Sequence, residues 1–62
     1  MPIVNVQLLE GRSEEQKAKI AQIITDALVN IGGAEPDAVI VIFSDVKKSD
    51  LAKGGKLISQ KK

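Results

Sequence analysis

The chain contains no cysteine, no histidine, no tryptophan and no tyrosine, and a single phenylalanine, Phe43. Without cysteine there is no disulfide framework and no thiolate zinc site. Without histidine the commonest metal ligand is missing, and so is the usual general base near neutral pH. Together these absences exclude a serine-histidine-aspartate triad and a thiolate nucleophile. One aromatic ring gives nucleobases almost nothing to stack on. No run approaches the roughly 20 apolar residues of a membrane span, and no basic segment leads into an apolar one as in a signal peptide. The expectation is a soluble, cytoplasmic protein with no membrane partner and no nucleic-acid partner. Arginine is scarce too: Arg12 is the only one, and every other basic residue is a lysine.

What is present must fold with few means. A 62-residue chain is read as one domain, residues 1–62, and buries only about 60% of the surface its unfolded form exposes. A lone core of this size rarely contributes more than about 3–5 kcal/mol. With disulfides and thiolate metal sites excluded, association with further copies is the remaining source of stability. An apolar fraction of 44%, almost all aliphatic, suits packing between subunits. Charge is uneven. Residues 1–46 carry three basic and seven acidic side chains, whereas residues 47–62 carry six lysines and Asp50. Such a tail can mark an anionic partner; the plainer reading is a solvated surface.

Ile3 to Leu9 alternates, with Val4, Val6 and Leu8 on one face and Asn5 and Gln7 on the other, which predicts a half-buried strand. Ser13 and Gln16 form a capping box, and Glu14 and Glu15 occupy the first turn, where the helix dipole favours negative charge. Ile20, Ile23, Ile24, Ala27, Leu28 and Ile31 make an apolar stripe, Lys17, Lys19, Gln22, Asp26 and Asn30 point elsewhere, and Gly32-Gly33 stops the helix. Val39 to Phe43 is a continuous β-branched run, as in a strand covered on both faces. Strand, helix and strand in that order predict a right-handed crossover with parallel strands. One flank of Val39–Phe43 must then meet another subunit. In the tail, Gly54-Gly55 reads as a turn and Leu57-Ile58 as a short final strand. The fold class is α/β (α+β): a small β-α-β unit with a C-terminal strand or hairpin, completed by oligomerisation.

Two residues carry chemistry. If Met1 is removed, Pro2 exposes a secondary amine on a rigid strand. An α-amino group ordinarily titrates at about 7.7–8.0, and apolar surroundings or a nearby cation lower that value. Such an amine accepts a proton near neutral pH and hands it on. The competing reading is that proline tolerates the first position of a strand, where no ladder hydrogen bond is needed. Arg12 stands between Gly11 and the helix cap. Its guanidinium either grips a carboxylate in bidentate fashion or is a solvated turn residue.

The stretch from Pro2 to Lys17, "PIVNVQLLEGRSEEQK", resembles the start of 4-oxalocrotonate tautomerase and its short-chain relatives. The resemblance extends through the β-α-β order to Gly54-Gly55. It implies a hexamer built as a trimer of dimers, and a cofactor-independent tautomerase that moves a proton between carbons of a small 2-hydroxydienoate or enol acid. Pro2 matches the amino-terminal proline that acts as general base, and Arg12 matches the arginine that binds a substrate carboxylate across a subunit boundary. Three positions depart from the pattern. A second arginine of the later strand, in a V-R-V segment, is replaced by Ile40. An aromatic wall near the glycine pair is replaced by Leu51, which still excludes water, and Ala52 stands for a glycine. Ile40 removes a charge-assisted contact to the oxygen-bearing end of the substrate, an effect on the order of 2–4 kcal/mol, for which Lys47, Lys48 and Lys53 are the candidate replacement cations. The alternative on the same fold is a catalytically weak structural subunit of a homo- or hetero-oligomer.

Overall fold

In the computed structural model, which describes residues 1–60, the alternating run becomes strand β1, Ile3–Leu9. Helix α1 follows at Glu14–Asn30. Its capping box is complete: the Gln16 N–H donates to Ser13 Oγ (3.1 Å), and the Ser13 N–H donates to Gln16 Oε1 (2.9 Å). At the far end, backbone bonds from Gly33 to Val29 and from Ala34 to Leu28 satisfy the last carbonyls. A short 3₁₀ turn, Pro36–Ala38, leads into β2, Ile40–Val46. The chain closes with a 3₁₀ turn at Lys48–Asp50, a two-residue pair of strands, β3 (Ala52–Lys53) and β4 (Lys56–Leu57), and a last turn at Ile58–Gln60.

β1 and β2 pair in parallel, from Ile3 opposite Ile40 to Leu9 opposite Val46. β3 and β4 pair antiparallel. Gly54 and Gly55, at φ +63° and +83°, supply the two left-handed residues that a tight hairpin turn needs. Register partners share a face, so Val4, Val6, Leu8, Val41 and Phe43 lie on one side of the sheet, where they are half-buried, with Asp45 beside them. α1 covers that side with the half-buried Ile20, Ala21, Ile24, Leu28 and Val29. Ile3, Asn5, Gln7, Ile40, Ile42 and Ser44 lie on the other side, which is open.

Four expectations change. β2 runs to Val46 instead of ending at Phe43, because ladder pairing with β1 continues through Ser44 and Asp45 regardless of their polarity. The final strand is Lys56–Leu57, and Ile58 opens the last turn. The helix stripe is only partly inward: Ile23 is 69% and Ile31 88% exposed, since the sheet-facing side of α1 is centred nearer Leu28 and Ile31 lies past the last turn. Lys17 also turns inward, and its Nζ reaches Asp45 at 2.8 Å. That bridge remains partly solvated, so Asp45→Asn is expected to lower stability by only about 0.2–1 kcal/mol in a denaturant melt.

No described residue is fully buried. The chain exposes 4957 Å², against about 3,900 Å² for a folded monomer of its mass. Its radius of gyration is 14.8 Å, against about 10.6 Å for a compact chain of this length. A two-stranded sheet with two open edges and a bare face that exposes Ile3, Ile40 and Ile42 is an unfinished structure. No helix among the described residues is long and apolar enough to cross a membrane. Lys61 and Lys62 of the lysine-rich tail lie outside the described residues.

Candidate active site

Pro2 precedes β1 and needs no ladder donor there. Its carbonyl accepts the Ile40 N–H at 3.0 Å, which ties the start of β1 to the start of β2. Pro2 is half-buried and Met1 exposed. The structure therefore places two of the sequence candidates, Pro2 and Ile40, side by side through the backbone. By strand alternation Ile40 belongs to the open face, with Ile3 and Ile42.

Arg12 is elsewhere. Gly11, at φ +120°, turns the chain out of β1 in a conformation that L side chains rarely adopt. Arg12 follows on the surface immediately before the Ser13 cap. Its only hydrogen bond among the described residues is a long one, Nη1 to the Leu9 carbonyl at 3.4 Å, which leaves most of the guanidinium fork for a ligand. β1 has seven residues at about 3.3 Å each, so roughly 23 Å of strand separates the two ends. A small acid does not span that distance. Pro2 and Arg12 of one chain cannot touch the same substrate.

Leu51 belongs to the C-terminal hairpin, which leaves the sheet from the Arg12 end after Val46. Its carbonyl accepts the Ile58 N–H at 2.8 Å, so its backbone is fixed while its side chain stays exposed. The hairpin packs chiefly on itself, turn Lys48–Asp50 against turn Ile58–Gln60 and β4. Pro2 and Ile40 thus stand together at one end of the sheet, Arg12 follows its other end, and Leu51 lies in the hairpin beyond Val46. Among the described residues the chain encloses no pocket. The Lys17–Asp45 bridge, which pins the helix start to the sheet, was not singled out from the sequence. The strand alternation that puts Asp45 on the helix side would have indicated it, had β2 been extended past Phe43.

Comparison with known proteins gives this arrangement a context. Residues 2–61 match the family model described as tautomerase enzyme. A 2-hydroxymuconate tautomerase of Bacillus subtilis is 36% identical over 59 residues, covering 95% of both chains. The crystal structure of a 4-oxalocrotonate tautomerase homologue superposes with a TM-score of 0.93 at 34% identity, over 100% of this chain and 98% of the other. A heterohexamer 4-oxalocrotonate tautomerase from Chloroflexus aurantiacus does so at 0.88 and 28%, over 97% of each chain.

Proposed function

This chain belongs to the tautomerase family, whose named relatives are isomerases, and from that premise we propose that it moves a proton between carbons of a small 2-hydroxydienoate or enol acid, with Pro2 as the base. The observation that carries the reading is the tether between strands. The Pro2 carbonyl is held by the Ile40 N–H at 3.0 Å, so after loss of Met1 a secondary amine stands at the tip of a fixed strand. The proton taken from one position of the bound molecule returns to another, which regenerates the amine at each turnover. No oxidant, reductant or cofactor enters the balance.

The second half of the site comes from another copy. Because about 23 Å of strand separates Pro2 from Arg12 within a chain, Arg12 and Leu51 of a neighbouring copy meet the Pro2 end of the first. Arg12 grips the carboxylate in bidentate fashion, and Leu51 keeps water away from the amine. A hexamer, arranged as a trimer of dimers, supplies the contacts and covers the open sheet face. Ile40 favours one further reading, a structural subunit whose partner chain completes the site. Native mass spectrometry that finds only mixed complexes with a related chain supports that alternative.

Ultraviolet absorbance during ketonisation of 2-hydroxymuconate tests the proposal, using protein shown by intact mass to lack Met1. Turnover that falls as the solution is acidified is the expected result. Absence of turnover above buffer for enol acids of this class refutes it. Arg12→Ala is expected to raise KM about tenfold or more with a smaller change in kcat, as for loss of a charge-assisted ground-state contact.

A further inference from the structure

We propose that Lys53, with Lys56 facing it across the C-terminal hairpin, is the cation that holds the oxygen-bearing end of the substrate while Arg12 holds a carboxylate further along it. The inference rests on the reading above, in which Leu51 of a neighbouring copy reaches the amine, and it names a second anion-binding group for that site. It starts from the register of the hairpin. Ala52 pairs with Leu57, and Lys53 with Lys56. The Ile58 N–H, bonded to the Leu51 carbonyl at 2.8 Å, carries the ladder back to Leu51, whose backbone is extended. Side chains of a strand alternate between faces, and directly opposite residues share one. Leu51, Lys53 and Lys56 therefore lie on one face of the hairpin, and Ala52 and Leu57 on the other.

Like charges directly opposite each other destabilise a ladder, and the structure offers this pair no relief. Both lysines are exposed. Among the described residues neither has a carboxylate partner, since the ion pairs are Lys17–Asp45 and Lys19–Glu15. Asp50 is the sole acidic residue from 47 to 62, and it lies with Lys47 and Lys48 in the turn that precedes Leu51. That turn packs against Ile58–Gln60, away from the hairpin tip. Of the three candidate replacement cations, Lys53 alone stands on the Leu51 face of the hairpin strands, in a stretch without an acid.

The pair is also fixed in place. Only Gly54 and Gly55 separate the two lysines in sequence, at φ +63° and +83°, and opposite residues of a ladder keep their Cβ atoms about 4.5–5.5 Å apart. Lys53 follows Leu51 by two residues, about 7 Å along the strand, so whatever brings Leu51 to the amine brings Lys53 with it. Two neighbouring ammonium groups match an enol acid end, which presents a carboxylate beside a hydroxyl oxygen. As Pro2 takes the hydroxyl proton, negative charge grows on that oxygen, and an ammonium aimed at it stabilises the change. Binding of the anion also relieves the repulsion between the lysines.

The test measures kcat and KM for ketonisation of 2-hydroxymuconate on protein lacking Met1. Lys53→Met is expected to lower kcat/KM about tenfold or more, chiefly through kcat. Lys56→Met should cost less, and Lys53→Arg should retain most of the wild-type value. Calorimetric titration with hexanedioate and pentanoate gives a second readout that needs no turnover. Wild type should bind the diacid about tenfold more tightly than the monoacid, and Lys53→Met should lose that preference. Equal binding of the two acids by wild type, a Lys53→Met enzyme with wild-type kcat and KM, or a loss that follows Lys47→Met or Lys48→Met in place of Lys53→Met each overturns the inference while leaving the proline reading intact. Wild type without turnover removes the proline reading instead, and the preference for the diacid and its dependence on Lys53 then decide the anion site alone.

Discussion

Pro2→Ala is expected to lower kcat for ketonisation by about 100-fold or more, within the range contributed by a positioned general base. KM should change little, because in the proposed site the carboxylate is held by Arg12 and not by the amine. Fold and assembly should survive. The only hydrogen bond that Pro2 makes among the described residues uses its backbone carbonyl, which accepts from Ile40, and alanine keeps that carbonyl. Circular dichroism and native mass spectrometry on the same preparation check this directly. Protein that retains Met1 should be equally impaired, since the Pro2 nitrogen is then an amide without basicity. The amine works only unprotonated, so activity must fall as pH drops through its pKa. In the proposed assembly, an apolar wall and the guanidinium of a second copy lower that limb below the ordinary α-amino range. A limb below that range therefore reports that Arg12 and Leu51 of a neighbour have reached the amine. Full activity in Pro2→Ala would assign the base elsewhere.

Ile42→Lys is expected to abolish the assembled state and, with it, cooperative unfolding. Ile42 sits mid-strand on the open face, paired with Asn5, and is 45% exposed in the lone chain. The surface excess of about 1,100 Å² over a folded monomer is comparable to the roughly 800 Å² that each partner loses in a stable interface. No described residue is buried in the single chain, so in the proposed assembly a charge placed there removes the core itself. Sedimentation should show the variant as a monomer, and its thermal scan should lack a sharp transition. Wild type should melt at a temperature that rises with protein concentration, as mass action requires when folding and association are coupled. A monomeric Ile42→Lys protein melting as sharply as wild type would show that the single chain is stable by itself.

Ile42 and Ile40 share a face of the sheet but not a position along it. Ile40 starts β2 beside Pro2, whereas Ile42 is two residues further from that end.

The features legible in the sequence are the local ones. Alternation from Ile3 to Leu9 specifies β1 because side chains of a strand point to opposite faces. Ser13 and Gln16 specify the start of α1 because they satisfy backbone donors within one turn. Gly54-Gly55 specify the hairpin because few other residues adopt two successive positive φ angles. The absences did as much: without cysteine or histidine, the amino-terminal proline and Arg12 were the groups left to carry chemistry. Tertiary structure decided what depends on distant segments meeting. Ser44 and Asp45 belong to β2 only because Gln7 and Leu8 pair with them. Lys17 turns inward only because Asp45 lies beneath it, and Ile23 faces outward because the sheet approaches α1 from the Leu28 side. Above all, a strand is a rigid spacer, and its length puts Pro2 and Arg12 at opposite ends of the protomer. Sequence order names both residues; geometry sets them too far apart in one chain to touch one small molecule.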